Sequence, residues 1–513
     1  MSQKLQNMDT MIDDDLPQNQ KKEVENKKNS EPIDKGNVAY FIMLLYGIGS
    51  LLPWSAICTA LDFFQEKLVG YQPDFVFGMA NNGLLTVIQT FILLYGHKFG
   101  YILRIGGGFS IIAALMVALP LAANYLNPDA GFAACISLLI IFGAMGGIVQ
   151  GSIFGLGGIL PKQHMGAIML GNGLSGITLN ILRMITLAAL PPKEGSDNNF
   201  KGSLIYFIIA SIMVFVCALS IFVFMRLPYV QYYLKKTSDQ KQRTVRRISG
   251  MRENDLIDDG DREILQLSSD NLLNSGVINK TNSYQNSELL NSEHQKLGSQ
   301  TSAITDFQEQ KPQNQDLKIA HQSHQHTTFV AFVIMVKHSF NYAWQFLTGI
   351  ASVFLVTFVV YPGVALRINL KFMDFIENVH LEGAWTRQLF IFIFNIFDTV
   401  GRWLADKSFG QSSDRVVLVL TYLRVIFIAT FLLIAFDEPP MWLFGSNSDW
   451  FKILNMILFA VSNGYCSTQL AIKAPSRAPD SIKEQVGTLI GLFITLGIFL
   501  GSLIAIGVGK LFA

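Results

Sequence analysis

The sequence predicts an all-α, polytopic membrane protein that crosses a lipid bilayer eleven times, six segments followed by five. Three observations carry this expectation. Of 513 residues, 50% are hydrophobic and 15% charged, where soluble domains carry about 25% charged residues; the mean hydropathy is +0.35. The charges crowd into 1–36 and 227–328 and leave the rest almost bare. The bare stretches hold runs of about 20 apolar residues, the length a helix needs to span the hydrocarbon core.

Taken in order, residues 1–36 are polar and acidic, lack an apolar leader stretch, and read as a disordered cytoplasmic N-terminus. Residues 37–226 hold the first six segments. The first, about 38–60, contains Pro53-Trp54. Proline removes a backbone hydrogen bond, so an interrupted helix with a free carbonyl is expected there. The second, 76–96, carries adjacent Asn81 and Asn82, of which at most one should face inward. The third spans 101–123. The fourth, 132–158, places Gly143, Gly147, Gly151 and Gly155 every four residues, with Gly146 and Gln150 beside them. Such a stripe lets backbones approach closely in lipid, where no hydrophobic force drives helices together. The fifth, 166–190, puts Asn172, Gly176, Asn180 and Arg183 near one face, and the sixth covers 203–226.

Residues 227–332 are rich in Ser, Asn, Gln and charge and poor in aromatics. Such a stretch cannot bury enough surface to fold alone, so a largely disordered cytoplasmic loop is expected. Residues 333–513 hold the last five segments, 333–361, 386–405, 415–436, 450–472 and 485–510, the last with its own stripe at Gly497, Gly501, Ala505 and Gly509. With the N-terminus cytoplasmic, ten Lys or Arg fall in inner connectors and seven in outer ones, the bias expected of cytoplasmic loops. An odd number of crossings then puts the C-terminus outside.

The eighth segment is the most informative. Asn395, Asp398 and Arg402 share one helix face at spacing i, i+3, i+7. A charge at membrane depth costs at least about 2.5–3.5 kcal/mol and marks a functional site by default. The three side chains offer an amide, an acceptor pair and a planar fork of donors, suited to a polar solute. The plainer reading is a self-neutralising pair that joins two helices, and both readings can hold together. Each intramembrane Asn or Gln alone serves equally well as interhelical glue.

Other motifs exclude more than they suggest. Gly171-Asn172-Gly173-Leu174-Ser175-Gly176 matches G-x-G-x-x-G, but the dinucleotide fingerprint needs a preceding strand. No phosphate-binding G-x-x-x-x-G-K-[ST] occurs, so ATP-driven pumping by this chain is not expected. Cys58, Cys135, Cys217 and Cys466 stand singly in apolar segments, and His321, His324 and His326 sit in a polar tract. No metal, cofactor or enzymatic constellation is expected. A net charge of +1 gives no reason to expect nucleic acid. Arg246-Arg247-Ile248-Ser249 reads as a site for a basophilic cytoplasmic kinase at Ser249.

Four blocks resemble the equilibrative nucleoside transporter family. They are Gly47-Ile48-Gly49-Ser50-Leu51-Leu52-Pro53-Trp54; Gln150-Gly151-Ser152-Ile153-Phe154-Gly155-Leu156-Gly157-Gly158-Ile159-Leu160-Pro161, continuing to Gly171–Gly176; Phe394-Asn395-Ile396-Phe397-Asp398 with Gly401-Arg402; and Ala474-Pro475 with Gly487-Thr488-Leu489 through Thr495-Leu496-Gly497. The resemblance implies a fold related to the major facilitator type, with pseudo-symmetric halves. It implies facilitated, bidirectional transport of nucleosides, purine or pyrimidine, and sometimes nucleobases, with no cofactor. It places Trp54 against the solute, Gln150 on the base, Asp398 and Arg402 on ribose or base, and Gly146 at the central cavity. Three departures leave substrate preference open: Ser55 where the family often has Asn, Asn172 where it often has Gln, and His164 near a common aromatic.

The expected function is thus facilitative nucleoside transport by alternating access, at the plasma membrane or, as the alternative, an intracellular membrane, with small-molecule solute and lipid as partners. Proton-coupled symport is the nearest alternative. A non-transporting receptor or scaffold, working through its central loop, is an alternative of another class.

Overall fold

The computed structural model describes residues 32–71, 73–190, 198–250, 314–361, 363–365, 368, 370, 379–407, 410–435 and 449–509. They are helices and short connections, with no strand among them. The chain divides into two units, residues 1–238 with 338–513, and residues 239–337. In the second, helix is described at both ends: Pro228–Gly250 runs into it, and Asn314–Val360 begins in it. The polar segment expected to lack structure thus carries helix at its borders, and 251–313 lie outside the described residues.

The first unit is built from long helices. These are α1 (Val38–Thr59), α2 (Pro73–Tyr95), α3 (Gly108–Tyr125, entered through a wider turn at Ile102–Gly107), α4 (Pro128–Ile159), α5 (Lys162–Ala189) and α6 (Asn198–Phe224). After the polar segment come α7 (Asn314–Val360), α8 (Val379–Asp406), α9, broken into Asp414–Leu423 and Ile426–Ala435, α10 (Asp449–Arg477) and α11 (Lys483–Gly509). Among the described residues nine helices are long and apolar enough to cross a membrane. α8 and α10, of 28 and 29 residues, are long enough but more polar. On α6, Ile212, Leu219 and Val223 are more than half exposed, an apolar surface suited to lipid rather than water.

Local chemistry sets the helix ends. Asp34 accepts from the Ala39 and Tyr40 amides, 3.1 Å each, quenching donors that the first turn of α1 leaves free. Pro128 opens α4 with Asp129 in its first turn, where a fixed φ and a negative charge both suit a helix start. α1 runs unbroken through Pro53 to Thr59, contrary to the expected interruption. Neighbouring helices can absorb the backbone group that a buried proline frees, and the Cys217 side chain of α6 lies against Gly49, one turn before Pro53.

Glycines set how closely the helices cross. A methyl on Gly47 of α1 would strike the Ile168 carbonyl of α5, and one on Gly171 of α5 would strike the Leu44 carbonyl of α1. The same reciprocal arrangement joins α4 to α11 (Gly158 against Lys483, Gly487 against Phe154) and α8 to α10 (Gly401 against Val461, Gly464 against Asp398). The α4 stripe divides its work: Gly143 and Gly147 meet the α2 backbone at Asn81 and Leu85, while Gly151 and Gly155 face Thr488 of α11. Gly146 lies beside Leu85. Gly497 and Gly501 of α11 meet α7 at Ala351 and Leu355. Phe394, Phe431 and Phe459 pack in one core cluster of α8, α9 and α10.

Candidate functional site

Asp398 and Arg402 lie on successive turns of α8 and are 4% and 3% exposed. Arg402 Nε donates to Asp398 Oδ2 at 2.7 Å and its Nη2 to Oδ1 at 3.5 Å. The acid precedes the base by four residues, the favourable order on a helix. Arg402 Nη1 reaches across to the Met169 carbonyl of α5 at 3.1 Å. Asn463 of α10 donates from Nδ2 to Asp398 Oδ1 at 2.7 Å. Burying a carboxylate costs several kcal/mol unless its lone pairs are met; here three donors meet it.

The chain of contacts continues. Asn463 Oδ1 accepts from Thr357 Oγ1 of α7 at 2.7 Å and from Arg424 Nη2 at 3.2 Å. Arg424 sits where α9 breaks, 1% exposed. It also donates to Thr357 Oγ1 at 2.8 Å and to the Phe459 carbonyl at 2.9 Å. One buried polar line therefore runs from α5 through α8 and α10 to α7 and α9.

Asn395 is half-buried on α8, its amide against Gly176 of α5. Asn172 accepts from Ser50 of α1 at 3.0 Å, tying α5 to α1. Asn81 and Asn82 are both buried, and Asn81 Nδ2 donates to Asn82 Oδ1 at 3.0 Å. Adjacency therefore does not force one of them outward, because mutual pairing meets part of their demand; Asn81 Oδ1 has no hydrogen-bond partner among the described residues. Arg183 is buried on α5. Trp54 is half-buried, with its ring over Gly78 of α2. Gln150 is half-buried on α4 and makes no hydrogen bond among the described residues. No hydrogen bond there ties Trp54, Gln150 or Asn81 to the Asp398 line. The side chain of Ser249 lies outside the described residues.

Sequence reasoning missed Arg424, Asn463 and Thr357. The signal for Arg424 was present, since it is a charge inside an apolar run and the rule that singled out Asp398 applies to it unchanged. Asn463 and Thr357 carried no such mark. A second contact between the halves was also missed: Gln388 Nε2 of α8 donates to Asn180 Oδ1 of α5 at 2.6 Å.

Comparison with known proteins places this architecture. A solved major facilitator superfamily proton:xylose symporter shares the fold, with a TM-score of 0.50 at 12% identity, over 91% of this chain and 87% of that one. The Arabidopsis thaliana protein named equilibrative nucleotide transporter 1 is 24% identical over 491 residues, covering 94% of this chain and 88% of its own. The human protein named equilibrative nucleoside transporter 2 is 23% identical over 508 residues, covering 93% and 97%. The family profile described as nucleoside transporter matches residues 136–508. This multi-pass helical membrane protein, with its ion pair buried between α5, α8 and α10, belongs to the nucleoside transporter family.

Proposed function

We propose that the chain carries nucleosides across a membrane by facilitated, bidirectional transport, its two groups of helices rocking about a mid-membrane site so that it opens to each side in turn. The observation that carries this reading is the Asp398–Arg402 pair, buried in α8 and held to α5 by the Met169 carbonyl. α8 and α10 cross the bilayer in this reading and complete eleven crossings, with the N-terminus cytoplasmic. The family and the relatives' names support nucleosides as the solute class.

Roles are assigned by what each side chain has left to offer. Asp398 Oδ2 accepts from Arg402 Nε alone among the described residues and, with two lone pairs on each carboxylate oxygen, can take a solute hydroxyl. Gln150 has its whole amide unspent and suits the edge of a base. Trp54 offers a flat face for stacking. Asn395, Asn172 and Asn81 contribute further polar edges, while Gly146, Gly147, Gly151, Gly155 and Arg183 shape the path. The plasma membrane, with an intracellular membrane as the alternative, is the location this reading takes, and Ser249 its kinase target.

Proteoliposomes holding the purified chain test this with labelled adenosine, inosine, uridine and hypoxanthine, first without an ion gradient and then with an imposed pH gradient. Saturable equilibration without a gradient, lost in Asp398→Asn, is expected. Accumulation only under inward protons would replace facilitation with symport. A deletion of 240–325 that keeps uptake would remove the scaffold reading.

A further inference from the structure

We propose that Arg424 is a positioning residue: with Thr357 it orients the Asn463 amide, and through that amide it fixes the Asp398 carboxylate. The inference rests on the transport reading above. A guanidinium can only donate and an ionised carboxylate can only accept. Asn463 stands between one of each, with Asp398 Oδ1 2.7 Å from its Nδ2 and Arg424 Nη2 3.2 Å from its Oδ1. Only one orientation of the amide satisfies both sides. The flipped orientation would press its oxygen on the carboxylate and its N–H groups on the guanidinium.

The surroundings lock this arrangement. Thr357 Oγ1 lies 2.7 Å from Asn463 Oδ1 and 2.8 Å from the Val353 carbonyl of its own helix, so its one proton serves one of them at a time, and it is itself held by Arg424 Nη2 at 2.8 Å. Arg424 is anchored to the Phe459 carbonyl at 2.9 Å and contacts the Ser462 hydroxyl of α10. Its guanidinium lies over the Phe459 ring, 5.1 Å from the centroid. Arg424 is the donor that no neutral residue of similar size replaces, because Gln or Met would let the amide turn. α9 is broken at this residue, with Arg424 N bonded to the Thr421 carbonyl three residues back, which sets the side chain at the level of Asn463. None of these contacts requires Arg424 to touch the solute, and its hydrogen-bonded route to Asp398 runs through Asn463.

The test is a double-mutant cycle on uridine and adenosine uptake, with surface abundance measured for every variant. Arg424→Gln is expected to raise KM about tenfold, the equivalent of one charge-assisted hydrogen bond, with Vmax per surface molecule kept. Asn463→Leu should raise KM by a similar factor, and the pair together should match the worse single variant. Arg424→Lys, which keeps a donor-only cation, should restore most of the loss; a purely structural role would lower abundance and Vmax instead. Penalties that multiply in the double variant, or a KM unchanged in Arg424→Gln, overturn the inference. If Arg424→Gln does not reach the membrane, Asn463→Leu decides, since it removes the link itself: a raised KM with Vmax per surface molecule kept supports the relay and an unchanged KM refutes it. Wild-type protein that takes up no nucleoside removes the transport reading itself, and this inference with it.

Discussion

Replacing Asp398 by leucine should harm the fold more than removing Asp398 and Arg402 together. Asp398 accepts from Arg402 Nε at 2.7 Å, from Arg402 Nη2 at 3.5 Å and from Asn463 at 2.7 Å. Without it, Arg402 keeps the Met169 carbonyl as its oxygen partner, and Arg424 loses the anion it meets through Asn463. Breaking a buried pair from one side costs about 3–5 kcal/mol. The double variant Asp398→Leu/Arg402→Met removes one charge of each sign; Arg424 loses its anion there as in the single variant, but no second uncompensated cation is left, and the neutral group short of a partner is an Asn463 N–H, at about 1–3 kcal/mol at most. Arg402→Met alone should be milder than Asp398→Leu, because the Asn463 amide and the Arg424 charge behind it still face the carboxylate. The assay is ligand-free thermal melting of purified protein together with surface abundance, since all three variants are expected to lose uptake. An Asp398→Leu protein that melts at or above the double variant would refute the reasoning.

Three further outcomes follow from the same geometry. Gln150→Leu should melt like the wild type, because Gln150 makes no hydrogen bond among the described residues, yet show a raised nucleoside KM; a lowered melting temperature would assign it to packing instead. Gly464→Ala should lose about 1–3 kcal/mol through overpacking, because its methyl would strike the Asp398 carbonyl, and reduced surface abundance measures this; normal abundance with normal uptake would show that α8 and α10 can part there. Gln388→Leu removes the donor that Asn180 Oδ1 accepts at 2.6 Å and should cost about 1–3 kcal/mol in melting of the resting protein; an unchanged melt would mean that this contact holds nothing together.

Much of this arrangement was legible in the chain, for a physical reason. Lipid forbids unsatisfied backbone, so long apolar runs must be helices, and their order follows from composition alone. Charges such as Asp398 and Arg402 stand out against that background because their cost at depth is so high. Partner identity was not legible: an isolated Asn463 or Thr357 in an apolar run looks the same whether it holds a carboxylate or merely bonds its own helix. The glycine stripe of α4 was visible through its four-residue period, but Gly47 with Gly171 and Gly401 with Gly464 were not. Each of those pairs is one contact between distant segments and leaves no period in either one. Pro53 misled because a proline rule from water overstates its effect where neighbouring helices can compensate.

The reciprocal glycine crossings bear on how a complete substitution map of this protein should be read. At Gly47, Gly171, Gly158, Gly487, Gly401 and Gly464 any side chain meets a neighbour's carbonyl, so every replacement there is costly, whatever its chemistry. Positions such as Gln150 should instead tolerate some replacements and shift which solute is preferred. The darkest columns of such a map would therefore outline the seams between helices, and the solute's footprint would lie in the columns of intermediate, solute-dependent shade.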